Sequence, residues 1–320
     1  MKEKVFNIIK TYGIIVVFII ILVIFSLASP VFFTVSNILN VVRQVSVNGI
    51  IAVGMTLVIV SGGLDLSVGA QVTFFNVFTA YLMVEQSIPA VLAVMIGILL
   101  CVLNGLIIGV SVTKFHIPPM IASLAMMTIM KGLAFIISEG QPISGLPKNF
   151  NIIGQGYVFG IPIPAICFIS IVILGAIILN KTYFGRFFFA VGGNEEAAEL
   201  SGINVDFIKI LTYMLCGLLT GFAAYIMLSR VNLGSPNTGT GLEFTVITAV
   251  TLGGVSVSGG RASLLGVVAG VLILGCLNNG FILLNIDEYV QEVVQGIVLL
   301  VAVGFDCTQR YNSNRVKRTN

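Results

Sequence analysis

Tryptophan is absent from this sequence, histidine occurs once, and charged side chains supply only 9% of its 320 residues. Each scarcity removes a class of function. Without tryptophan, anchoring at a membrane–water boundary falls to tyrosine, and Tyr12, Tyr81, Tyr157, Tyr183 and Tyr289 stand near the ends of apolar runs. A lone His116 cannot assemble a histidine-based metal site. The five cysteines stand singly, Cys101, Cys167, Cys216 and Cys276 within apolar runs and Cys307 near the end of the last one. With no CxxC or Cys/His spacing, neither a disulfide framework nor a metal site follows. No Ser/His/Asp set or pair of carboxylates falls within an apolar run, so no catalytic residue is assigned. Nothing in the chain calls for a nucleic-acid partner.

What the chain has instead is apolar length. Hydrophobic residues make up 57% of it and the mean hydropathy is +1.09. A soluble domain of this size could not carry such values without exposing large apolar patches. The expected fold is all-α, a polytopic inner-membrane helical bundle in the lipid bilayer, because only helices and closed barrels satisfy their backbone inside lipid. A span needs about 20 mostly apolar residues. About ten runs qualify, near 14–27, 36–60, 66–84, 88–112, 118–138, 162–179, 207–228, 243–257, 264–284 and 289–305. Residues 1–320 then form a single transmembrane domain, with a polar loop at 181–207.

The basic residues orient it. With the N-terminus inside, Lys2, Lys4, Lys10, Lys114, Lys181, Arg186, Lys209, Arg261, Arg310, Arg315, Lys317 and Arg318 fall on the cytoplasmic side. Only Lys148 and Arg230 fall outside, while Arg43 and Lys131 lie within spans and are expected to snorkel. Both termini and the 181–207 loop are therefore expected in the cytoplasm.

Three stretches carry more information than hydropathy. In Phe184–Val205, Asn194 is a good N-cap and Glu195 and Glu196 favour the positive end of a helix. Ala197 and Ala198 favour its interior, Glu199 follows, and Gly202 suits a left-handed stop. A short, capped surface helix after Gly193 results. Ser61-Gly62-Gly63-Leu64-Asp65-Leu66-Ser67-Val68-Gly69 joins the second and third runs; its glycines allow a tight reversal, and Asp65 can cap the next helix at the membrane boundary. Gly254–Arg261 imitates a phosphate loop but has Gly260-Arg261 where Lys-Ser/Thr is required. Energy for any active process must then come from another chain. Val58–Gly63 and Val255–Gly260 also resemble each other at a constant offset of 197, a hint of two related halves.

Polar side chains inside apolar runs are candidates for a solute path. Gln44 and Asn48 share a helix face, as do Gln71 and Phe75; Asn104 and Asn279 stand in later runs. Amides with aromatics suit a sugar, while helix-to-helix hydrogen bonding by the amides and lipid contact by the phenylalanines account for the same residues more simply.

These motifs carry a resemblance. GGNEEAAELSG resembles the EAA-type cytoplasmic loop of ABC importer permeases, although no Ile-x-Leu-Pro ending follows Gly202. SGGLDLSVGA resembles a signature of the ribose-type sugar permeases within the branched-chain amino acid/ribose permease superfamily, and Gly259–Gly266 resembles that family's late glycine-rich turn. The resemblance implies the transmembrane subunit of an ATP-binding-cassette importer for a sugar or sugar-like solute, in the bacterial inner membrane. It implies a separate ATPase gripping Gly193–Gly202, a solute-binding protein at the outer loops 138–161 and 229–241, and a second permease copy, identical or related. No cofactor is expected on this chain, ATP and Mg being used by the partner ATPase. The alternative from another class is an ion-driven secondary carrier of a small polar solute, which needs a carboxylate buried at mid-membrane. Asp65 and Glu243 are expected at span ends, which counts against it.

Overall fold

The computed structural model describes residue 16 and residues 18–319, with the side chains at 305–306 and 309–319 left aside. The basic residues of both tails lie outside the side chains described. Among the described residues the fold is all-α apart from one hairpin of two short strands. Its helices are α1 (Phe18–Ala28), α2 (Val35–Val60), α3 (Val68–Val84), α4 (Ala90–Lys114), α5 (Pro119–Ser138), α6 (Ile152–Gln155), α7 (Ile163–Lys181), α8 (Tyr183–Gly193), α9 (Glu195–Leu200), α10 (Val205–Val231), α11 (Leu242–Leu252), α12 (Leu264–Leu283) and α13 (Glu288–Thr319). The antiparallel hairpin joins β1 (Tyr157–Val158) to β2 (Ile161–Pro162). Among the described residues, α2, α4, α5, α7, α10 and α12 are long and apolar enough to cross a bilayer.

Two ends of the bundle are fixed by contacts. At the end carrying α8 and α9, the Gly260 amide donates to the Val60 carbonyl (2.9 Å) and Lys114 pairs with Asp206. The ends of α2 and α4, the start of α10 and the turn before α12 therefore lie together. At the far end, Ile143 and Gly234 bridge the 143–156 segment to the residues after α10, and Ser229 donates to the Phe150 carbonyl (2.6 Å).

α2 and α10, at about 39 and 40 Å by 1.5 Å per residue, run the depth of the bundle in opposite senses. Each is followed by a stretch that turns back into the bundle and starts a short helix at its centre. After α2, residues 61–67 lead into α3, whose N-terminal neighbours include Asn104 near the middle of α4. After α10, residues 232–241 return from the far end into α11, and Gly69 packs so closely on the Gly239 carbonyl and Glu243 carboxylate that no side chain would fit. The starts of α3 and α11 thus meet inside the molecule. The runs near 66–84 and 243–257 were expected as full spans; they are instead helices of 17 and 11 residues that begin at depth. Irregular backbone at that depth is tolerated because it is sealed in protein and bonded, as where the Gly239 amide donates to Thr73 Oγ1 at 3.0 Å.

α2–α3 and α10–α11 thus run in opposite senses. The two Ser-Gly-Gly turns, offset by 197, sit side by side at the same end. Helix pairs are held by close approach rather than by bulky apolar contact, since lipid already solvates leucine well. Gly217 and Gly221 of α10 lie against Cys101 of α4, and Gly109 of α4 lies against Ile210.

Candidate functional site

The polar loop folds as its residue types dictate. Asn194 is extended (φ −160°, ψ 106°) and its side chain accepts from the Ala197 amide at 3.0 Å, capping α9. Glu195 and Glu196 occupy the first turn, and Gly202 ends the segment at φ +80°. Ala198 is the buried anchor, with Glu195, Glu196, Ala197 and Glu199 exposed and Leu200 90% exposed. A six-residue helix that shows its acids and one bare leucine to solvent has a contact face and little else.

Its tethers lead inward. Glu195 pairs with Lys209 of α10 at 2.6 Å, and Asp206 pairs with Lys114 at the same distance. Between α9 and the end of α4 lies a cleft of about 630 Å³ lined in part by His116, Glu199 and Asn204. A second, aromatic cavity of about 350 Å³ is framed by Tyr183, Phe184, Phe187 and Phe207. Gly192 rests on the Val60 carbonyl, and Gly259 and Gly260 rest on Gly192 and Gly193. The three glycine-bearing stretches singled out in the sequence therefore converge at one end of the bundle, although up to 200 residues apart in the chain.

From that meeting point the 61–69 turn climbs into the core. Ser61 Oγ lies 3.0 Å from Thr212 Oγ1, and the Leu64 amide donates to Tyr213 Oη at 3.3 Å. Asp65 is fully buried: Oδ1 accepts from the Ser67 amide (2.8 Å) and hydroxyl (2.6 Å), and Oδ2 accepts from Gln71 Nε2 (3.3 Å). Ser67 Oγ in turn accepts from Asn104 Nδ2 at 3.0 Å. Asp65 does not stand at the membrane boundary, as its sequence context suggested; it sits at depth, just before the positive start of α3. Glu243 lies in the first turn of α11, 2% exposed. Each carboxylate thus faces a helix N-terminus, worth up to about 2 kcal/mol in partly buried geometry. Both acids, expected at span ends, are instead buried inside the bundle. What keeps them buried is the start of a broken helix.

The other candidates separate. Gln71, Phe75 and Asn104 are fully buried inside the subunit, with Phe75 packed on Gly97. Asn279 makes a reciprocal amide pair with Asn37 (2.8 and 2.9 Å), tying α12 to α2. Gln44 and Asn48 are half-buried on α2 and make no hydrogen bond among the described residues. Gly62 takes φ +84° at the reversal, and Gly63 lies against the Tyr213 hydroxyl. Sequence reasoning missed Thr212 and Tyr213, which pin the turn; neither stands out in an apolar helix, and only the fold brings them to residues 61–64.

A bundle of long apolar helices, with two short helices that start inside it and a capped acidic helix at one end, has the make-up of an integral membrane protein. The chain matches the family described as branched-chain amino acid transport system / permease component over residues 37–303, and it belongs to that family. The ribose import permease protein of Bacillus subtilis (strain 168) is 44% identical over 289 residues, 90% of this chain and 89% of that protein. The ribose import permease protein of Escherichia coli (strain K12) is 41% identical over 292 residues, 90% of each chain. An L-arabinose ABC transporter permease protein of Azospirillum brasilense is 39% identical over 316 residues, 99% of this chain and 93% of that one. No solved structure matches the chain.

Proposed function

We propose that this permease is the transmembrane subunit of an ATP-binding-cassette importer and forms the translocation path for ribose or a similar sugar. The observation that carries the reading is near-full-length similarity to ribose and L-arabinose permeases, joined to the exposed acidic helix α9. Ten membrane passages, with both termini and α9 in the cytoplasm, accord with the distribution of Lys and Arg. A separate ATPase, using ATP and Mg, grips Gly193–Gly202. A sugar-binding protein delivers solute to the opposite end, where the 138–161 and 229–241 loops are already bridged through Ile143 and Gly234. A second permease copy completes the path. The relatives' names give no support to the ion-driven carrier.

The mechanism follows from the tethers. The nucleotide state of the ATPase favours one arrangement of α9 and so shifts the population of permease conformations. Movement of α9 passes through Glu195–Lys209 to α10 and through Gly192–Val60 to α2. Because Ser61 and Leu64 are bonded to Thr212 and Tyr213, the 61–69 turn moves with α10, and the start of α3 moves with the turn. The test is Glu196→Trp/Gly202→Trp in the reconstituted complex. Membrane insertion stays intact while solute-stimulated ATP hydrolysis and uptake of labelled ribose fall to background. Full stimulated hydrolysis by the variant complex would overturn the assignment of α9.

A further inference from the structure

At the far end of the bundle stand two arginines that no carboxylate among the described residues answers. Arg43 of α2 donates from Nη2 to the Gln155 carbonyl (3.3 Å) and from Nη1 to Asn40 Oδ1 (3.5 Å), and its guanidinium lies 4.6 Å from the centre of the Tyr157 ring. Its Nε is buried without a partner. Arg230, in the last turn of α10, is held to the same segment: Gln155 Nε2 donates to the Arg230 carbonyl at 2.9 Å, and the charge of Arg43 bears on the Arg230 guanidinium. Among the described residues the ion pairs are Lys114–Asp206 and Lys209–Glu195, both at the other end. Both arginines are half-buried and bonded to Gln155, and like charges gathered at one partly buried segment are relieved by an anion.

The surroundings choose the anion. The adjoining hairpin shows Tyr157, Val158 and Ile161 half exposed and Phe159 fully exposed at its tip, and Ile152 and Val231 are exposed beside it. Apolar and aromatic side chains next to cationic heads form the amphipathic pattern of a lipid–water boundary, where rings settle among headgroups and arginines reach phosphates. A dissolved phosphate would gain nothing from the bare phenylalanine.

We propose that Arg43 and Arg230 bind the phosphate of an anionic phospholipid headgroup, with the 157–161 hairpin seated in the boundary beside it. The site joins α2 to α10 at the end opposite α9, and its occupant therefore braces these two helices against each other.

The test titrates the full-length permease in detergent with phosphatidylglycerol, phosphatidylcholine and inorganic phosphate, reading bound lipid by native mass spectrometry and thermal unfolding. Phosphatidylglycerol binds and raises the unfolding temperature, phosphatidylcholine does so less, and inorganic phosphate does neither. Arg43→Gln/Arg230→Gln weakens phosphatidylglycerol binding roughly thirty-fold, about fivefold for each cation lost, whereas Lys148→Gln at the same end leaves it unchanged. If the double glutamine variant fails to fold, Arg43→Lys/Arg230→Lys, which keeps both charges, retains most of the binding while Phe159→Ser weakens it. Equal binding by the glutamine variant and wild type overturns the proposal. So does a full effect from inorganic phosphate, which marks a soluble-anion site.

Discussion

The 61–71 turn and the 193–203 loop are alike in sequence: short, rich in glycine, each with acid and hydroxyl side chains between apolar blocks. In the folded chain they are opposites. The turn is sealed, with Ser61, Asp65, Ser67 and Gln71 at 1% exposure or less and the Asp65 oxygens bonded to neighbours of the same segment. The loop is bare, held by Ala198, one exposed ion pair and backbone contact at Gly192. A recognisable motif therefore says that a stretch is constrained; burial says whether the constraint comes from the fold or from a partner.

Substitutions can separate the two. The largest effect is expected from Asp65→Leu, which strips acceptors from the Ser67 amide, the Ser67 hydroxyl and the Gln71 amide at about 1–3 kcal/mol for each buried group left unpaired. The unfolding temperature in detergent should collapse, with Asp65→Asn, which keeps one oxygen, losing roughly half as much; an unmoved Asp65→Leu melt would erase the contrast. Asn194→Ala should cost about 1 kcal/mol, confined to α9. Hydrogen exchange at the Ala197 amide should accelerate while the global melt stays put, and a shifted global melt would show the loop to be part of the core. The smallest effect is expected from Lys209→Met, which removes a surface pair worth at most about 1 kcal/mol. Its signature is a stability that weakens less with added salt than that of the wild type, since Lys114–Asp206 remains; unchanged salt dependence would mean that the pair contributes nothing.

Much of this was legible in the residues, and the boundary is instructive. α9 could be read because Asn194, Glu195, Glu196 and Gly202 act on backbone groups within a few positions of themselves. The third and eighth apolar runs misled, because a run of leucine, valine and phenylalanine is equally apolar whether it begins at the bilayer surface or halfway through it. Gln71 and Asn104 read as path-lining groups or, more simply, as internal braces; their partners, Asp65 and Ser67, lie on other elements or across a turn. Arg43 and Lys131 were expected to snorkel. Arg43 has a carbonyl and a ring to rest on, supplied by a segment more than a hundred residues away, besides the Asn40 amide oxygen of its own helix.

By itself, then, the sequence determined that this chain lives in a membrane, where its polar loop caps a helix, and which family its motifs resemble, since hydropathy and capping are properties of neighbours in the chain. Only the tertiary structure decided that Asp65 and Glu243 face short-helix starts inside the bundle, that three glycine turns meet at one end, and that two arginines are tied to one segment at the other. Depth and charge pairing are set by residues far apart in sequence, and no local pattern encodes which of them will touch.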